Sequence, residues 1–167
     1  NLCQAYSRQL QTLRNLARNL GKENSQAIEK KTLSPDTKEK KLAVDFLDAL
    51  RSRHQVLLLS DTFEQYAGAM MPHLGLPTIF CHRLIVENDR IVNYELRTPD
   101  HKRRTVEAMQ ALNFHVTAGG DSFNDLSMLN AAEAGSLFHA PDQIIADNPQ
   151  LASFQEYDDF LYWIDSL

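Results

Sequence analysis

Apolar positions along the chain follow two rhythms, a helical one of three to four residues and a second of short continuous runs. Tyr6, Leu10, Leu13, Ala17 and Leu20 recur at helical spacing and Gly21 follows where helices stop, so residues 4–20 read as an amphipathic helix. Residues 22–41 are polar and weakly periodic, with Ser34-Pro35 as a helix start: hydroxyl as cap, proline in the first turn. From Leu42 the pattern tightens. Leu42, Phe46, Leu47 and Leu50 share one helix face, and Arg51, Arg53 and His54 lie near its C-terminal pole, where cations are favourable. Val56-Leu57-Leu58-Leu59 is an all-apolar run of the kind expected for a strand buried on both faces, and it ends in Ser60-Asp61-Thr62. Thr62 and Gln65 have capping-box spacing. The helix they open carries Phe63, Tyr66, Ala67, Met70 and Met71 and stops near Gly75 and Pro77.

Residues 82–97 alternate around the turn-like Glu87-Asn88-Asp89 and predict a β-hairpin. Pro99-Asp100 opens a helix with Val106, Met109 and Leu112 on its inner face. Phe114 to Ala118 reads as a strand, Gly119-Gly120 as a sharp turn, and Leu126, Met128, Leu129 and Ala132 as the apolar face of the next helix. Leu137-Phe138-His139-Ala140 is a short final strand, Pro141 starts a helix, and residues 157–167 form a closing helix with Phe160, Leu161 and Ile164 inward. Tyr162 and Trp163 are read as packing residues. This alternation of strands and helices, without internal repeats, predicts an α/β fold with a parallel sheet.

Composition narrows the class. A length of 167 residues suits one ordinary domain, and 43% apolar residues suffice for a real core. The longest strongly apolar run, Val56 to Leu59, is far too short to cross a bilayer. Cys3 and Cys81 form neither a disulfide framework nor a metal-ligand spacing, and no signal-peptide pattern is present. These features predict a soluble cytoplasmic protein with no membrane partner. The net charge of −5 is uneven: residues 1–41 hold nine Lys and Arg against four Asp and Glu. Those cations are dispersed through a helical pattern without interleaved aromatics, so a solvated helix face is expected rather than a nucleic-acid arm. The first residue is Asn1 rather than Met, and a processed or incomplete N-terminus is the expectation.

The chemistry concentrates in Gly120-Asp121-Ser122-Phe123-Asn124-Asp125. It follows a predicted strand and opens a helix, which puts two carboxylates at the C-terminal edge of the sheet, where α/β proteins bind ligands. Two acids there suit a hard cation such as Mg²⁺ with oxygen ligands. Taken alone, the stretch also fits a helix cap, since Asp, Ser and Asn are favoured there. Ser60 ends another apolar strand and reads alone as a turn residue, and Lys102 sits in a first helical turn beside Arg103 and Arg104. Together, a hydroxyl, an ammonium and a carboxylate pair form a set that suits a phosphoryl group.

In that order these segments resemble the motifs of the haloacid dehalogenase superfamily, and within it the phosphoserine phosphatases. Val56 to Ser60 is similar to the second motif, Lys102 to the third, and Gly120 to Asp125 to the fourth. Leu59-Ser60-Asp61-Thr62-Phe63, residues 97–104 and Leu137 to Pro141 are closer to the bifunctional phosphoserine phosphatase/homoserine phosphotransferase subgroup. The resemblance covers about residues 42–150. It implies a Rossmann-like parallel sheet, with residues 1–41 as a remnant of a helical cap and 42–167 as an incomplete core. It also implies Mg²⁺, a small phosphorylated amino acid as substrate, and an aspartyl-phosphate intermediate. Ser60 and Asp61 would bind the phosphoryl group, Lys102 would hold it and the nucleophile, and Asp121 would ligate the metal. Asn124 and Asp125 would order the loop and bind metal-bound water or Lys102.

One motif is missing. The family's first motif is an apolar strand ending in Asp-x-Asp or Asp-x-Glu, whose first Asp attacks phosphorus, and the chain contains neither. Asp45-x-x-Asp48 lies in a helical pattern with the wrong spacing. In the family fold that strand is the central one, between those ending at Ser60 and Asp121. Its loss leaves strand edges open to aggregation or to pairing with another chain. The expectation is an N-terminally truncated phosphatase, inactive alone; the rival is a natural remnant, completed by a partner strand or a homodimer or not folded normally. The competing reading is a non-catalytic remnant that binds phosphate or a partner.

Overall fold

The structure, a computed structural model, describes residues 38–167. The expected helix over 4–20, the Ser34-Pro35 start and nearly all of the proposed cap remnant over 1–41 lie outside the described residues. Helix α1 runs Lys38–Arg51, with Leu50 buried as expected, although Leu42 is exposed. Two compact units follow from the packing. One joins 38–59 to 98–167, and the other includes 60–97.

Strand β1 runs Leu57–Phe63 and so does not stop at Ser60. Nor is it buried on both faces: Leu57 is exposed and the next residues are half-buried. The polar Ser60-Asp61-Thr62 stays extended because the strand belongs to a sheet in the order β1-β2-β3, with β2 at Thr78–Glu87 and β3 at Arg90–Glu95. The expected hairpin is therefore present, β2 pairing antiparallel with β3, and its first strand begins earlier than anticipated. Asn88 and Asp89 both take positive φ at its tip, a conformation those residues tolerate.

Helix α2, Glu64–Met70, and a 3₁₀ turn at Met71–Leu74 connect β1 to β2 and end at Gly75 in the left-handed region. The capping box is not formed. Phe63 is the cap residue, and Thr62 belongs to the strand. Gln65 instead clasps the backbone of Leu84, accepting its N–H and donating to its carbonyl, both at 2.9 Å. A two-point grip on β2 outweighs one capping bond. Phe63, 3% exposed, packs edge-on against Tyr66, His82 and Tyr94 and centres this unit.

The other unit holds a parallel sheet in the order β4-β5-β6, with β4 at Thr117–Gly120, β5 at Ala134–Phe138 and β6 at Ala152–Phe154. β6 was not expected, because Ala152-Ser153-Phe154 is too short to show an alternation. Leu137 to Ala140 is consequently not the last strand, and His139 lies beyond it at φ 54. The strand predicted over Phe114 to Ala118 starts three residues later and includes both glycines.

Alternation along β4 and β5 divides this sheet into two faces. Ala118 and Leu137 lie in an aliphatic cluster with Val106 from α3 (His101–Ala111), Met128 and Leu129 from α4 (Leu126–Ala131) and Ile144 from α5 (Asp142–Asp147). Phe138 faces the other way and stacks with Phe46 of α1 and Phe160 of α6 (Tyr157–Asp165). Helices thus cover both faces, as a parallel sheet requires. Trp163 packs on Phe154 and Phe160 as expected, whereas Tyr162 is 79% exposed and Leu112 lies outside the core. Among the described residues, β4 is an outer strand of its sheet, as is β6.

Candidate active site

Strand β4 delivers the chain to Asp121, and its last glycine sets the spacing. A Cβ on Gly120 would lie 2.5 Å from the Asp125 Cβ, closer than any real contact, so glycine is required by close approach rather than by a turn. The expectation that Gly119-Gly120 forms the turn is corrected accordingly: both are extended, and Gly119 makes room for the Phe160 ring, 2.7 Å from where its Cβ would be.

Asp125 stands immediately before α4, but its side chain caps nothing in that helix. Its Oδ1 accepts from the Lys102 ammonium at 2.7 Å. Its Oδ2 accepts from the Asp121 and Ser122 amides at 3.2 and 3.1 Å and from the Ser122 hydroxyl at 2.8 Å. The helix-cap alternative for this stretch therefore gives way to a carboxylate gathered by the loop around it. Asp125 is 6% exposed and Lys102 7%. Burial by itself would raise the Asp125 carboxyl, but the hydrogen bond and charge of Lys102, with Ser122, outweigh it and hold the group below the usual aspartate range.

Lys102 reaches Asp125 because α3 begins at His101, which sets the lysine in its first turn, and because α3 packs against α4. Arg103 and Arg104 point elsewhere, to Asp100 and Glu107 and to Thr98. The structure thus singles out Lys102 from its basic neighbours. Asp121 and Asn124 are exposed on the same loop, and the Asp121 carboxylate makes no hydrogen bond or ion pair among the described residues. An exposed carboxylate beside an amide and a second acid is an oxygen-only donor set, which fits a hard divalent cation. Both Asp125 oxygens already accept hydrogen bonds.

Ser60 and Asp61 belong to the unit that includes 60–97. The Ser60 hydroxyl accepts the Thr62 amide at 3.2 Å, and Asp61 Oδ1 lies 3.7 Å from His82 Nε2. Ser122, which supplies two of the donors to Asp125, was not singled out from sequence. Its place between two aspartates in a strand-to-helix loop was the available signal.

Residues 7–133 match the haloacid dehalogenase-like hydrolase family, and the chain belongs to it. It is 49% identical over 118 residues to a phosphoserine phosphatase of Pseudomonas syringae pv. tomato, a match covering 70% of this chain and 50% of that protein. It is 48% identical over 118 residues to phosphoserine phosphatase ThrH of Pseudomonas aeruginosa, covering 70% and 58% respectively. The chain spans about half the length of the curated relatives it matches. Among solved structures, it is similar to a phospho-aspartyl intermediate analogue of phosphoserine phosphatase, with a TM-score of 0.74 at 22% identity over 92% of this chain and 76% of that one. It is also similar to the T. onnurineus phosphoserine phosphatase, with a TM-score of 0.66 at 19% identity over 93% and 74%. At such identities the likeness concerns the fold, and it agrees with the α/β architecture expected from sequence. No helix among the described residues is long and apolar enough to cross a membrane.

Proposed function

We propose that the chain carries the binding half of a phosphoserine phosphatase-type site, acting on O-phosphoserine or a similarly small phosphomonoester in the cytoplasm. The observation that carries this reading is the buried Lys102–Asp125 pair at the C-terminal end of β4. A buried ion pair is a poor route to stability, because desolvation offsets the attraction. Its position at a ligand-binding edge favours a working role.

In the proposed roles, the Lys102 ammonium neutralises the transferring phosphoryl group and the attacking carboxylate, and Asp125 fixes that ammonium in place. Asp121 would hold Mg²⁺, and Asn124 and Asp125 would orient water bound to it. Bound there, the ion would polarise the phosphoryl oxygens and balance their charge. Ser60 and Asp61 bind phosphoryl oxygens, a role resting on the family resemblance. In the complete reaction a carboxylate oxygen attacks phosphorus, the serine oxygen leaves with a proton, and water then cleaves the acyl phosphate. Transfer to homoserine would replace water by a hydroxyl. The chain has no Asp-x-Asp strand to supply that nucleophile, so we propose that it is inactive alone.

The outer position of β4 favours a second reading, in which the chain binds phosphate or a completing strand, from a partner or a second copy, without turnover. The first reading, and the second in its phosphate-binding form, require a phosphate site, and calorimetry with inorganic phosphate tests it. Saturable binding that depends on Mg²⁺ and weakens about tenfold or more in Asp121→Asn is expected. Absence of binding, or binding indifferent to Asp121, would overturn the proposed roles.

A further inference from the structure

Helices α3 and α4 run side by side and are tied at both ends. At the far end, Gln110 Nε2 donates to the Ala131 carbonyl at 2.8 Å. At the near end, the Ser127 hydroxyl donates to Asp100 Oδ1 at 2.7 Å, while Arg103 holds Asp100 Oδ2 at 2.5 Å. Asp100 is two residues before Lys102, and Ser127 is two residues after Asp125. We infer that Asp100 is a positioning residue: through Ser127 it locks the helix carrying Lys102 to the helix behind Asp125, and so sets the register of the buried pair. This rests on the reading of Lys102 and Asp125 as the working pair.

Two features make the near tie more than a helix start. Asp100 takes φ 51 and ψ 44, in the left-handed region, and its side chain bonds no backbone amide of α3. Aspartate tolerates this region, and with no capping bond its carboxylate is left to reach Ser127 and Arg103. The carboxylate is also pinned on both oxygens. Burial would raise it, but Arg103, Ser127 and the nearby His101 hold it below the ordinary range, so it stays an acceptor for the Ser127 hydroxyl. A slide or turn of α3 against α4 would break the 2.7 Å contact of Lys102 or force its stem into another rotamer.

The substitutions separate this role from a conformational one. Asp100→Gly accepts φ 51 more readily than aspartate and removes the carboxylate, and with it both the Ser127 tie and the Arg103 ion pair. Ser127→Ala removes the tie from the other side. Asp100→Asn tolerates the left-handed region and keeps an acceptor for Ser127. Gln110→Ala cuts the far tie and serves as the control. The readout is amide hydrogen exchange at Asp121 and Ser122 in the 167-residue chain, because those amides donate to Asp125. Exchange is expected to rise about fivefold in Asp100→Gly and Ser127→Ala, the size of one lost hydrogen bond, and to stay near wild type in Asp100→Asn and Gln110→Ala. Unchanged exchange in Asp100→Gly and Ser127→Ala, or an equal rise in Gln110→Ala, would overturn the inference. Should Ser127→Ala not fold, Asp100→Gly decides by the same criterion. Inorganic phosphate binding with Mg²⁺, compared with Asp121→Asn, judges the proposed function separately: if wild type binds none, that reading falls while the exchange result still decides the tie.

Discussion

The two units handle charge in opposite ways. In the β4-β5-β6 unit, Lys102 and Asp125 are withdrawn from water, with side chains 9% and 8% exposed, and each Asp125 oxygen is spoken for. In the unit that includes 60–97, charged groups keep their solvent. Arg97 meets Glu64 with both side chains nearly half exposed. That unit is held by neutral contacts, the Phe63 ring cluster and the Gln65 clasp on Leu84. Desolvation is what makes a pair consequential. A buried charge must be partnered in every state, whereas an exposed one can exchange its partner for water.

The largest test of that contrast is to leave a buried charge without its partner. Lys102→Met should destabilise the chain by about 3–5 kcal/mol in urea unfolding, and more than any single charge change in residues 60–97. Acid titration should sharpen it. Because the Asp125 carboxyl is held below its unfolded value of about 3.9, its contribution is complete above that pH and is lost as pH falls through the lower folded value. The wild-type stability curve should therefore drop on that acid limb, and the drop should shrink in Asp125→Asn. The smallest effect belongs to the other region: Glu64→Gln, which breaks the exposed pair with Arg97, should cost less than about 1 kcal/mol. A loss there equal to that of Lys102→Met would break the comparison.

The sequence disclosed the parts whose signal is local. Helical spacing in Leu42 to Leu50, the turn residues Asn88 and Asp89, and the strand-to-helix passage at Asp121 to Leu126 all appear where their residues predict them. Lys102 was legible through the family resemblance, and only the structure separates it from Arg103 and Arg104. What stayed hidden depends on partners far along the chain. Gln65 fits a capping box until Leu84 offers it two bonds. Gly119 and Gly120 read as a turn until Phe160 and Asp125 are seen pressing against the strand. Asp100 reads as a helix opener until Ser127 is found 27 positions away. β6 is three residues long and owes its place to β5.

The most direct test is to incubate the 167-residue chain with O-phosphoserine and Mg²⁺ and follow ester binding and phosphate release by phosphorus NMR. The account predicts a bound phosphomonoester signal, lost in Asp121→Asn, and no release of inorganic phosphate. Release of phosphate by the wild-type chain, abolished in Asp121→Asn, would contradict it and place a working nucleophile within these residues.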